Sequence, residues 1–153
     1  MQKIHQKMKT FSKYLAAIIV VVTAFLMSCS SKLDNMIDIN GNVHFTIYPN
    51  SIEYQELNAV GGWAYVTGET FSNSRGVIVY RFQQDEFMAY DRHPLSIEGS
   101  CDSYRLEVNL PFVVDNCNDQ KYNILNGFNI NGDGTHLYWY QTVFDGTALT
   151  IHN

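Results

Sequence analysis

Apolar and polar side chains alternate from the start of the globular part of the chain, with Val43, Phe45 and Ile47 set against His44, Thr46 and Tyr48. A period of two is the signature of a half-buried strand, and Pro49, which lacks an N–H to donate, ends it. Asn50 then stands three residues before Glu53 in a helix-start arrangement, so the spacing predicts a short helix over Ser51–Leu57. Beyond it the pattern is again strand-like. Strands are expected at Gly62–Thr67, Gly76–Phe82, Glu86–Asp91, Arg105–Leu110, Phe112–Asp115, Leu137–Phe144 and Thr147–Ile151. Asn126-Gly127 and Asp145-Gly146 supply hairpin chemistry, each suited to a turn whose central residues have positive φ. There is no internal repeat and no low-complexity tract. Many short strands, closely spaced turn signals and an aromatic fraction of 14% favour a small all-β antiparallel sandwich or barrel with one short helix.

The first 28 residues follow a different pattern. Lys3, Lys7, Lys9 and Lys13 come with no acidic residue, and the fourteen residues Tyr14–Met27 are rich in Ala, Ile, Val, Leu and Phe. These match the n-region and h-region of a secretory signal. Leu26-Met27-Ser28-Cys29 closes the run as a bacterial lipobox, with Met27 its one less usual residue. The run is short for a bilayer span, which needs roughly 20 apolar residues. A core helix would set four lysines and a continuously apolar cylinder beside a chain of strands. The expectation is therefore a signal peptide over residues 1–28 and a lipid anchor at Cys29, with an uncleaved anchor as the competitor. Diacylglycerol on the Cys29 thiol and an acyl group such as palmitate on its amine give at least two chains, which stable anchoring requires. Residues 29–42 are expected to be a tether and residues 43–153 the domain. Ser30-Ser31-Lys32 lacks the Asp that retains some lipoproteins in the inner membrane, which favours the outer membrane of the cell envelope.

Removing the signal changes the charge balance. Six basic residues face fifteen acids in the 125 that remain, a net charge of −9. A well-spread acidic surface argues against nucleic acid and anionic lipid as partners, because both need clustered Lys or Arg. The membrane is expected to be reached through the lipid, and an envelope protein or a glycan is the expected further partner.

The order of pieces carries a resemblance. GVIVYRFQQDEFMAYDR (Gly76 to Arg92), a cysteine-bearing segment, VVDNCNDQKYNILNG (Val113 to Gly127) and the closing WYQTVFDGTALTIHN resemble the Rieske iron-sulfur domain, in particular the small lipid-anchored Rieske-type proteins of the Bacteroidetes envelope. The resemblance covers most of Val43 to Asn153. It implies two loops, one with Cys-x-His and one with Cys-x-x-His, holding a 2Fe-2S cluster through two thiolates and two imidazoles. This chain departs from that set. His93-Pro94-Leu95-Ser96 stands in the first loop with no cysteine beside the histidine, and in the second Cys117 matches a ligand while Gln120 stands where a histidine is required. His93, Cys117 and Gln120 are thus degenerate ligand positions. No cofactor or metal is expected, with an atypical 2Fe-2S electron-transfer protein as the alternative.

Cys101 and Cys117 are the two cysteines left after Cys29. An even pair in an exported domain is usually a disulfide, and Rieske domains often join their ligand loops by one. Two free thiols or an unmatched metal site are the alternatives, though no spacing here fits zinc.

Remaining candidates are weaker. Asn129-Ile130-Asn131-Gly132-Asp133-Gly134 resembles the start of a calcium loop, but it begins with Asn and has Tyr140 where a bidentate acid belongs, so a polar turn is expected. His44, His136 and His152 are dispersed. Tyr138, Trp139 and Tyr140, with Trp63 and Tyr65, could form an aromatic platform for sugar or peptide, but both faces of Leu137–Phe144 are apolar enough that burial is expected. No Gly-x-Ser-x-Gly elbow appears. The chain is expected to be no enzyme but a binding or structural module, with a glycan- or protein-binding accessory lipoprotein as the further alternative.

Overall fold

The computed structural model describes residues 43–67, 75–95 and 101–153, all within the compact unit Met36–Asn153. The expected signal, Cys29 and the tether up to residue 42 lie outside the described residues. Among the described residues nine strands form: β1 (His44–Ile47), β2 (Trp63–Val66), β3 (Val77–Gln83), β4 (Glu86–Asp91), β5 (Glu107–Asn109), β6 (Phe112–Asp115), β7 (Gln120–Asn123), β8 (Trp139–Phe144) and β9 (Leu149–His152). Every pairing is antiparallel, in a six-stranded sheet of order β1-β9-β8-β4-β3-β2 and a three-stranded sheet of order β5-β6-β7. The chain is an all-β protein of the sandwich or barrel type, its large sheet curled into half a barrel.

The strand registers divide the large sheet into two faces. Ala64, Val79, Ala89 and Tyr140 lie in one row across β2, β3, β4 and β8, and Phe144, Leu149 and Ile47 in another across β8, β9 and β1. With Val43, Leu57, Val66, Val77, Phe87 and Ile151 they make the concave core. The opposite face carries the row Tyr65, Ile78, Tyr90 and Trp139 and the row Trp63, Tyr80 and Met88. There Val108, Val113 and Tyr122, one row of the small sheet, pack with Leu106, Ile124 and Leu137 to make a second core.

Two tyrosine hydroxyls tie the layers. Tyr65 accepts a hydrogen bond from the Val108 N–H at 2.9 Å, and Tyr90 donates to the Ile124 carbonyl at 2.9 Å. Arg92 stacks on the Tyr65 ring with its guanidinium carbon 3.6 Å from the centroid and donates to the Leu106 carbonyl.

The small sheet covers only the β2-β3-β4 half of that face. On β8 the side chains of Trp139, Gln141 and Val143 are exposed while Tyr140 is buried, so the expected burial of both faces is corrected: the small sheet stops short of the outer side of β8, where Phe128 and His136 pack against part of Trp139. His44, His152 and Gln141 continue that open surface, as do Thr46, Thr150 and Val143.

The helix expected at Ser51–Leu57 is also corrected. Successive bonds from Ser51 N to Tyr48 O, Tyr54 N to Ser51 O and Leu57 N to Tyr54 O span three residues each, and only Gln55–Asn58 is helical, as a 3₁₀ turn. Asn50, expected to cap it, instead accepts from Arg81, a residue only 1% exposed. Arg81 also donates to the Leu57 carbonyl at 2.9 Å and the Asn58 carbonyl at 3.3 Å, and to Gln84 O through both Nε and Nη2. A guanidinium thus replaces the missing helical partners of the 3₁₀ turn. It lies beside the Phe87 and Phe144 rings.

At the two expected hairpin pairs only the glycines take positive φ, +72° for Gly127 and +95° for Gly146. Asp145 stabilises its turn by another route, accepting from the Thr147 and Ala148 N–H groups.

Candidate functional site

The half-covered sheet leaves a groove at the edge of the second layer. It has a volume of about 360 Å³ and is lined by Met88, Leu125, Asn126, Phe128, Trp139 and Thr142, among others. Local structure sets its aromatic wall. Gly127, with its positive φ, turns the chain after β7 so that Phe128 and His136 form an isolated antiparallel bridge, and Trp139 opens β8 three residues later. The segment is pinned by Asn126 Oδ1, which accepts from the Phe128 N–H, and by Gly127 O, which accepts from the Leu137 N–H.

Three rings result. His136 lies 4.8 Å from Trp139 at 34°, and Phe128 lies 5.6 Å from His136 and 6.5 Å from Trp139. Trp139 and Phe128 are 49% and 46% exposed. The imidazole is oriented by its Nδ1, 2.9 Å from the Leu137 carbonyl. In the sequence, only the turn signal Asn126-Gly127 beside it points to Phe128 as a wall residue. Tyr138 is half-buried and does not line the groove, whereas Tyr140, although buried, contributes to its lining. Trp63 and Tyr65 do not line it: they sit on β2, with β3 and β4 between them and β8.

The degenerate ligand positions have structural partners. Cys117 is joined to Cys101, with Cα atoms 5.9 Å apart, which links the turn Cys101–Ser103 to the β6–β7 loop. In that loop the buried Asp115 accepts from the N–H groups of Cys117 and Asn118 and from the Asn118 side chain. Gln120 donates to the Asn118 carbonyl and accepts from the Asn129 amide at 2.7 Å. His93 follows β4, its N–H donated to Asp91 and its Nδ1 2.8 Å from the Pro94 carbonyl. The other Asp91 oxygen accepts from the Tyr140 hydroxyl. The residues resembling a calcium loop turn onto their own backbone, Asn129 accepting from Asn131 N–H and Asp133 from Thr135. Among the described residues, no group of three or more His, Cys, Asp or Glu comes together as a metal-ligand set.

Comparison of the chain with protein-family models, with curated proteins and with solved structures found no match.

Proposed function

We propose that this chain is a cell-envelope lipoprotein, anchored through Cys29, whose Rieske-like domain works without an iron-sulfur cluster as a glycan-binding module. The observation that carries the reading is the pair of exposed rings, Phe128 and Trp139, lining an open groove of about 360 Å³, with the half-buried His136 ring packed against both. The C–H-rich face of a pyranose stacks on such rings with little ordering cost, since aromatic side chains have few rotors to freeze. Hydroxyls at the sugar's rim meet Asn126 and Thr142, the polar side chains of the lining. Binding is favoured over catalysis because the buried carboxylates Asp91 and Asp115 are engaged in hydrogen bonds that fix loops. The partners of Cys117 and Gln120 support the reading without a cluster.

The test is a titration of the chain from Ser30 onward, which contains both cores, with cello-, laminari-, manno- and xylohexaose, read by calorimetry. At least one saccharide is expected to bind, and Trp139→Ala to weaken it about tenfold, the 1.4 kcal/mol expected of one stacking ring. Failure of all four to bind, or unchanged affinity in the variant, overturns the glycan reading. Iron and acid-labile sulfide in the anaerobically purified chain would overturn the reading without a cluster.

A further inference from the structure

We propose that the open edge of β2 is a docking site for an extended basic peptide segment, which adds to the large sheet as a seventh strand. Among the described residues β2 is the last strand of the six, paired on one side with β3 alone. The phase of that ladder is fixed at its start, where Arg81 N donates to Gly62 O and Gly61 N donates to Arg81 O. Counting along an antiparallel pair, Ala64 and Val66 bond to β3, so the N–H and C=O groups of Trp63 and Tyr65 turn to the open side. Nothing among the described residues pairs with them.

The edge forms the floor of a cleft. Its volume is about 710 Å³, twice that of the groove at Trp139, and it runs along Gly61, Gly62, Trp63, Ala64, Tyr65 and Thr67. Glu53 and Tyr54, which lead into the 3₁₀ turn, and Glu56 within it make one wall. Leu110 and the rings of Trp63 and Tyr65, 4.8 Å apart, make the other. Successive side chains of an added strand point to opposite sides, so one set meets the two carboxylates and the other meets the rings and Leu110.

Charge selects the occupant. The lining holds two carboxylates and no basic residue, on a domain that is acidic throughout. A Lys or Arg side chain pairs with the carboxylates at its head and lays its apolar stem along the half-buried Tyr54 ring. Unlike sugar stacking, recognition here is through main-chain hydrogen bonds that any extended peptide makes, with specificity from alternating basic and apolar side chains. The site is independent of the groove at Trp139, so either proposal can fail without the other.

The probe is Ac-Lys-Val-Lys-Val-Lys-NH₂, added to the ¹⁵N-labelled chain from Ser30 onward, with Ac-Gln-Val-Gln-Val-Gln-NH₂ as the uncharged control. Expected are shift changes at residues 53–56 and 61–67, slowed amide exchange at Trp63 and Tyr65, and binding about tenfold weaker for the control or for the Glu53→Gln/Glu56→Gln variant. Both glutamates are exposed, so the double variant folds. Equal binding of the two peptides, shifts centred elsewhere, or no binding overturns the proposal. Protection of Trp63 and Tyr65 that depends on protein concentration without peptide overturns it too, by assigning the edge to a second copy of this chain.

Discussion

Trp139 lies directly opposite Tyr90 across the β4-β8 pair, on the same face of the same sheet, yet Tyr90 is 1% exposed and Trp139 49%. The second layer ends between them. Tyr90 lies under Ile124, to whose carbonyl it donates, whereas Trp139 stands at the border and presents its ring to the groove. The same row therefore predicts opposite mutational behaviour. Tyr90→Phe removes one buried hydrogen bond and costs about 1 kcal/mol in urea unfolding. Trp139→Phe keeps a ring at the border and leaves the unfolding midpoint nearly unchanged, while weakening saccharide binding at the groove.

Gly62 admits no side chain. A Cβ there would lie 1.8 Å from the Glu56 carbonyl oxygen, a backbone atom that cannot move without unwinding the 3₁₀ turn. Gly62→Ala is expected to cost about 3 kcal/mol or more, the upper range for forced overpacking, and to lower the thermal midpoint measured by circular dichroism. Gly132→Ala, with nothing within 4 Å of the added carbon but a φ of +71°, is expected to cost less.

Arg81 holds the loop before β2 to the β3–β4 turn through carbonyls alone, with Asn50 as its one side-chain acceptor. Arg81→Met keeps the apolar stem and leaves those acceptors buried without a donor. The expected loss is about 3 kcal/mol in urea unfolding, since hydrogen bonds to a charged group contribute more than neutral ones. Arg81→Lys, which keeps the charge but not the planar fork, is expected to fall between.

Cys101 and Cys117 are 16 residues apart, and closing a loop of that length stabilises a fold by about 3 kcal/mol in the chain-entropy model. A Cys101→Ser/Cys117→Ser variant, or the wild type in excess reductant, is expected to unfold at correspondingly lower urea with its strand content intact. Equal midpoints with and without reductant would mean that the pair is not oxidised in the purified chain.

Alkaline pH is expected to destabilise the fold through the second core. Burial, with the nearby Asp115 charge, pushes the Tyr122 hydroxyl up to about 12, and burial raises Tyr90 as well. The neutral phenol is thus favoured in the folded chain, and the unfolded chain releases its proton first, near pH 10. Stability from this source is complete below pH 10 and is lost as pH rises through about 12. Urea midpoints at pH 8, 10 and 11 measure the fall, and Tyr122→Phe reduces its slope.

The parts of the fold legible in the sequence are those where local pattern and long-range packing agree. Glu86–Asp91 and Phe112–Asp115 have the strand limits that their composition indicates, because each alternates against a real core. Gln120–Asn123 is not legible as β7: of its four residues only Tyr122 is buried, and the other three are polar, which reads as loop. The helix signal at Asn50 and Glu53 was overridden by Arg81, which takes the Asn50 oxygen from across the sheet. The aromatic composition of β8 was visible, but its exposed side was not, since that depends on where the small sheet ends. Phe128 and His136 reach Trp139 only through a turn and an isolated bridge.

Saccharide binding by this domain turns on the Trp139 ring, and its indole N–H is a direct reporter. A ¹H–¹⁵N spectrum of the chain from Ser30 onward, with the hexasaccharide that binds tightest, is predicted to move the Trp139 indole resonance and the amides of Phe128 and His136 while leaving the Trp63 indole in place. A saccharide that moves Trp63 and not Trp139, or neither indole, contradicts it.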